Sequence, residues 1–244
     1  MGDGWASRIG KSITGLFVPG TCASCGGGLS RGAAGALCGS CLGRIDRIAE
    51  PWCSICGVPG RTPPATSGCI RSCGPRAFSV ARAYGLQDGL LRDLVTRLKY
   101  GQEQPLAEPL GQLVQAAAQE HLTIQDYEAI VPVPLHTTRQ RERGFNQAFL
   151  LARPLARDAR IPIVHALQRS VATNPQVGQT SGARSASVQG SFSLTPRSAE
   201  KIGKRNVLLV DDVMTTGATA HEAARTLLRG GATRVDVVTL ARTP

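Results

Sequence analysis

Residues 207–219 read Val207-Leu208-Leu209-Val210-Asp211-Asp212-Val213-Met214-Thr215-Thr216-Gly217-Ala218-Thr219. Four consecutive apolar residues predict a short strand buried on both faces of a parallel sheet. Two carboxylates follow at its C-terminal end, the side of an open α/β sheet where ligands bind. Beyond Thr219 the chain from Ala220 to Leu228 reads as a helix. A tight strand-to-helix turn leaves N–H groups unpaired at a helix N-terminus, which favours an anion. Gly217 allows close backbone approach, and Thr215, Thr216 and Thr219 add hydroxyl donors. Asp211 and Asp212 would repel that anion, so they suit hydroxyl groups or a divalent cation one sugar length away. Phosphate at one end and a diol at the other describe a ribose 5-phosphate. The plain alternative is a buried strand followed by a polar turn.

The tract resembles the signature of type I phosphoribosyltransferases, which bind phosphoribosyl pyrophosphate (PRPP). The resemblance implies contacts from Asp211, Asp212, Thr215, Thr216, Gly217, Ala218 and Thr219, with Mg²⁺ accompanying PRPP. It also implies that Asp211 and Asp212 are the catalytic pair, fixing the diol and stabilising an oxocarbenium-like centre as pyrophosphate leaves.

The rest of the chain falls into two parts. All eight cysteines of the 244 residues lie before residue 74. They form pairs Cys22/Cys25, Cys38/Cys41, Cys53/Cys56 and Cys69/Cys73, with twelve residues between the second and third cysteine of each group of four. Repeated short knuckles of this kind suit two tetrahedral four-cysteine zinc sites, partitioned in sequence order. Spacing alone leaves a cross-braced arrangement open. A disulfide framework is the alternative, disfavoured by the missing secretion signal and by the lack of cysteine further on; redox chemistry at one Cys-x2-Cys is weaker still. The segment is too poor in apolar residues to close a core, so metal must do much of its folding. We expect residues 1–75 to comprise an N-terminal amphipathic helix (Trp5, Ile9, Ile13, Leu16) and a double zinc ribbon. Arg61 to Gly68 reads as a loop between knuckles.

Residues 76–244 alternate strands and helices, predicting an α/β domain. Strands are expected at 79–86, 129–133, 161–165, 206–210 and 234–240, and helices at 90–98, 105–121, 144–157 and 220–228. Residues 169–190 are polar and rich in Gly and Ser. The fold class is therefore α/β, a type I phosphoribosyltransferase-like parallel sheet flanked by helices, preceded by a small N-terminal zinc-ribbon domain with cysteine ligands.

Further motifs narrow the resemblance. Leu98-Lys99-Tyr100-Gly101, Ile130-Val131-Pro132-Val133-Pro134-Leu135, Arg143-Gly144-Phe145-Asn146-Gln147-Ala148 and the 207–219 tract occur in one order behind the cysteines. Over Cys22 to Leu240 the chain resembles the ComF family (ComFC-like proteins), associated with natural competence and DNA uptake. The family pattern implies a pyrophosphate loop at Pro132, Val133, Pro134 and His136. The flanking prolines fit a fixed, unusual backbone path there. Arg139, Arg141 and Arg143 would neutralise pyrophosphate, touch a nucleic-acid backbone or form a solvated basic loop. Asn146 and Gln147 would cap the next helix or touch ligand. Arg184 is the candidate cation of a closing loop, although Ser187 stands where relatives carry Asn. Lys99 reaches phosphate or solvent.

The formal net charge is +11 and the pI near 9.8; two four-thiolate zinc sites would lower the charge to about +7. A basic chain suits a polyanion, yet only ten residues are aromatic, leaving Trp52 and Phe145 as candidates for base stacking. No apolar run reaches the roughly 18 residues of a membrane span, and a cytoplasmic location is expected. No Walker-type Gly-Lys-Thr tract is present, so the chain is not itself a motor. Three functions fit: a PRPP-binding competence protein handling imported single-stranded DNA, an active phosphoribosyltransferase of nucleotide metabolism, or an adaptor for a competence helicase or uptake machinery.

Overall fold

The computed structural model describes residues 20–29, 36–60, 76–101, 103–169 and 189–243. Cys69, Cys73, Arg184, the N-terminal amphipathic helix and the 61–68 loop lie outside the described residues.

A four-stranded parallel sheet organises the chain, in the order β1 (Ala81–Leu86), β6 (Arg234–Arg242), β5 (Asn206–Met214), β2 (Ala129–Pro132). Helices α2 (Gly89–Tyr100), α3 (Ala107–His121), α5 (Gln147–Ala159) and α7 (Ala218–Arg229) accompany it. The period-two alternation of a strand decides which residue meets which layer. Leu208, Val210, Val238 and Leu240 face one core with α2, α3 and α5, whereas Val207, Leu209, Val235 and Val237 face the other with α7. All eight are essentially buried, which is why these strands are continuous apolar runs; each such side chain stabilises the fold by about 1.5–3 kcal/mol. On the first face, α3 and α5 approach so closely that a Cβ on Gly111 would lie 2.8 Å from Pro154.

The elements depart from the sequence expectation in several places. Strand β5 does not stop at Val210 but runs to Met214, because β6 continues beside it and pairs Asp211 with Thr239 and Met214 with Arg242. The arginine run is not a loop: it forms α4 (Thr137–Arg143), opened by the His136 side chain accepting from the Thr138 N–H and closed by Gly144 at φ +78°. The expected strand at 161–165 contributes a single parallel bridge, Ile130 to Ile163, where the Pro162 carbonyl accepts from the Ile130 N–H. A short antiparallel pair, β3 (Leu167–Arg169) with β4 (Phe192–Leu194), and the one-turn helix α6 (Ser198–Ile202) were not legible beforehand.

The cysteine knuckles pack directly on the sheet domain. The first, followed by α1 (Gly39–Gly43), lies against α2, where Arg97 Nη1 donates to the Ala23 carbonyl while its other nitrogens grip Glu103. The Cys53/Cys56 knuckle lies along β1: the Ala81 N–H donates to the Ile55 carbonyl, Arg82 to the Ser54 carbonyl, and Arg242 Nη2 to Cys56 Sγ at 3.5 Å. Gly57 permits this approach, since it has φ +66° and a Cβ there would lie 2.6 Å from the Ala81 carbonyl oxygen. Between the knuckles, the Ile48 N–H donates to the Tyr84 carbonyl.

Candidate functional site

The C-terminal end of β5 and the start of α7 build one small cleft, lined by Asp211, Thr215, Gly217, Thr219 and Thr239 among others. Gly217 turns the chain into α7 at φ +79°, a conformation that costs side-chain-bearing residues roughly 1–2 kcal/mol. The turn is braced from behind: Arg76 Nη2 donates to the Thr216 carbonyl at 3.0 Å, and the Ala77 N–H donates to His221 Nδ1 at 3.1 Å. Thr216 and Ala218 therefore shape the turn, the Ala218 N–H approaching Thr216 Oγ1 at 3.4 Å.

The two adjacent aspartates have different surroundings. Asp212 is 4 % exposed; Lys99 Nζ lies 2.9 Å from its Oδ1, and Gln147 Nε2 donates to its Oδ2 at 2.6 Å. Asp211, half-buried in the cleft, accepts from the Asp212 N–H at 2.8 Å. Burial, reinforced by the neighbouring Asp212 charge, pushes the Asp211 carboxyl up to about 7. Lys99 and Arg169 oppose this less strongly. Asp211 can thus take a cation or donate to and accept from hydroxyls, whereas Asp212 holds the surrounding helices in place.

Asn146 and Gln147, adjacent in sequence, do different work. Asn146 caps α5 through Oδ1 and donates from Nδ2 to the Val133 carbonyl at 3.1 Å, fixing the Pro132–His136 loop. Gln147 passes from Asp212 to Arg143, whose Nη1 donates to Gln147 Oε1 at 2.6 Å. The Val133 N–H donates to the Val210 carbonyl, so this loop begins at the same sheet end as the aspartates. Among the described residues, positive φ outside glycine occurs at Arg160, Arg197 and Lys204, so Val133 stays out of the left-handed region. Sheet pairing already fixes its direction.

The first four cysteines form the second feature. Their sulfurs all lie within 4.8 Å of one another, and Cys25 and Cys38 are 3.8 Å apart. A tetrahedron of about 2.3 Å Zn–S bonds has edges of about 3.8 Å, so this donor set fits zinc in the sequential partition. Burial pushes the Cys22 thiol up, but N–H groups of Cys25, Cys38 and Ser24 outweigh it and bring it down to about 6. The fold is thus prepared for a thiolate. Cys53 and Cys56 offer a second pair on one knuckle, the Cys56 N–H pointing at Cys53 Sγ at 3.5 Å.

Comparison with known proteins agrees with both features. Residues 146–244 match the phosphoribosyl transferase domain model and residues 13–75 the double zinc ribbon domain model. The DNA utilization protein YhgH of Escherichia coli (strain K12) is 33% identical over 233 residues, covering 93% of this chain and 99% of its own. The chain belongs to the ComF family.

Other ComF relatives include competence protein F of Haemophilus influenzae, 31% identical over 91% of this chain and 96% of its own length. Competence protein ComFC of Bacillus subtilis is 27% identical over 84% of each. Among solved structures, the glutamine PRPP amidotransferase of Bacillus subtilis is 19% identical, covering 56% of this chain and 27% of its own at a TM-score of 0.39. Within this ComF chain, sequence reasoning missed Arg76 and Arg169 altogether. Arg169 ends β3, bridges in parallel to His136, and is felt by Asp211. Neither residue lies in a periodic segment, so no local pattern marked them.

Proposed function

We propose that this ComF protein binds PRPP or a related phosphoribosyl ligand in the Asp211–Thr219 cleft and acts in competence by handling imported single-stranded DNA. One observation carries the reading: a single cleft joins a carboxylate to the glycine turn at a helix N-terminus. The phosphate would lie on the turn, against Thr215, Gly217 and Thr219. Asp211 would meet the ribose hydroxyls, with Mg²⁺ supplying charge neutralisation on the pyrophosphate. Lys99 would act through Asp212, and Arg143 and Arg184 would address the pyrophosphate side. The names of the relatives, DNA utilization protein and competence protein, support placing the activity on DNA. The helix α4 arginines add a cationic face suited to its phosphates.

We also propose that the ribbon part ends near residue 75, that both cysteine quartets hold structural zinc, and that the protein works in the cytoplasm. No helix among the described residues is long and apolar enough to cross a membrane.

The test is thermal unfolding of zinc-loaded protein with and without PRPP and Mg²⁺, beside Asp211→Asn. A ligand of the native state at a hundred times its Kd stabilises by about 2.7 kcal/mol. A rise in Tm that Asp211→Asn abolishes is the expected result. No rise in folded, zinc-loaded protein would rule out the PRPP reading.

A further inference from the structure

Among the described residues, the large apolar side chains left exposed are Ile55 and Tyr100. Tyr100 is 74 % exposed, and its place in the molecule is not arbitrary. It follows Lys99 directly, ending α2 beside the Lys99–Asp212 ion pair. The Arg143 guanidinium lies over its ring, 5.2 Å from the centroid. Arg143 in turn is held by Gln147, and Gln147 by Asp212. A continuous chain of contacts therefore runs from the buried aspartate to an exposed aromatic ring. A ring with this exposure and one guanidinium on it retains a free face.

The other aromatic candidates do not. Phe145 is buried. Trp52 is half-buried, with His121 edge-on at 4.9 Å and the Arg82 guanidinium 5.9 Å from its centroid. Base stacking needs a planar face open to solvent, and a phosphate contact nearby fixes the strand. Tyr100 has the face; Arg141, exposed on α4, and Arg143 have the charge.

We propose that Tyr100, backed by Arg143, is a nucleobase-stacking station on the rim of the Asp211–Asp212 site. Its ligand is a base carried either by single-stranded nucleic acid or by a free nucleotide. This deepens the reading above, since it places the base next to the phosphoribosyl cleft rather than on the zinc ribbons.

The experiment measures binding of a fluorescent oligothymidylate and of an abasic strand of equal length by anisotropy, with thymidine monophosphate measured by calorimetry. Tyr100 is exposed, so Tyr100→Ser and Tyr100→Phe are expected to fold as wild type does. Base–aromatic stacking predicts that Tyr100→Ser weakens oligothymidylate binding by about 5- to 100-fold, leaves the abasic strand unchanged, and that Tyr100→Phe retains full binding. Equal binding of oligothymidylate by wild type and Tyr100→Ser overturns the station. Equal losses on both strands overturn it too, because a base contact cannot weaken an abasic strand. If wild type binds neither strand, the DNA reading fails separately. The station then stands if thymidine monophosphate binds and Tyr100→Ser loses it, and falls if the nucleotide does not bind.

Discussion

Lys99 Nζ lies 2.9 Å from Asp212 Oδ1, both side chains largely withdrawn from water. The second aspartate of the signature is therefore neutralised within the protein before any ligand arrives. Removing one partner of such a pair leaves an uncompensated buried charge, a loss of about 3 kcal/mol. Lys99→Met is expected to lower the urea midpoint accordingly, and Asp212→Asn, which keeps the Gln147 contact, to cost less. The double variant should recover part of the Lys99→Met loss. Stability of Lys99→Met equal to wild type would show that the pair does not form in solution.

Asp211 makes stability depend on pH in a stated direction. Its carboxyl titrates near 7 in the folded chain against 3.8 as the ordinary value. Between these values the native state holds a proton that the unfolded chain has lost. Stability should therefore fall as pH rises from about 4 to about 7 and level off above. Asp211→Asn removes the titration, so it should approach or exceed wild type above pH 7, by on the order of 2 kcal/mol. Urea melts of both proteins at pH 5 and 8 check this. A wild-type-to-variant difference that does not change with pH would contradict it.

The N–H donors that bring the Cys22 thiol down to about 6 favour the thiolate form, the form that binds zinc. Release of zinc to a colorimetric chelator should speed up on acidification, as protons compete for the thiolates. Cys22→Ser should lose one zinc equivalent per chain. Retention of full stoichiometry in that variant would remove Cys22 from the ligand set.

Two glycines predict different failures on substitution by alanine. At Gly217 the new Cβ meets the flexible end of Met214 at 2.6 Å and sits at φ +79°. A loss of about 1–2 kcal/mol is expected from backbone strain, with PRPP affinity down at least about tenfold as the turn shifts. At Gly57 the new Cβ meets backbone, the Ala81 carbonyl, at 2.6 Å. That knuckle should lift from β1, read as faster hydrogen exchange at the Ala81 N–H, while PRPP binding is unchanged. Exchange at wild-type rate would show that the contact gives way without separation.

The 207–219 tract was legible because an apolar run, paired aspartates and a glycine turn are local patterns. The first four cysteines were legible because ligand spacing is local too. The division of labour between Asp211 and Asp212 was not. It depends on Lys99 from α2 and Gln147 from α5, which meet Asp212 only once the helices have packed on the sheet. Lys99 was among the candidate residues, but as a phosphate or solvent contact rather than a counter-ion. Helix α4 has seven residues, too few to show a period, so its arginines read as a loop. Arg169 borders a long polar stretch, and nothing in its neighbours points toward Asp211.

The position of the Cys53/Cys56 knuckle along β1 has a consequence for the unliganded chain. A parallel sheet has two outer strands whose unpaired amides and carbonyls are templates for another molecule. Here Ile48 and Ile55 satisfy groups of β1 on one side, and Pro162 and Val164 satisfy Ile130 of β2 on the other. The second cover is built from the domain's own backbone, but the first belongs to the cysteine-bearing segment that we propose is held by zinc. Stripping zinc would therefore do more than unfold a small appendage: it would leave the sheet adhesive along β1, and the metal-starved protein should be lost from solution by self-association before its core melts.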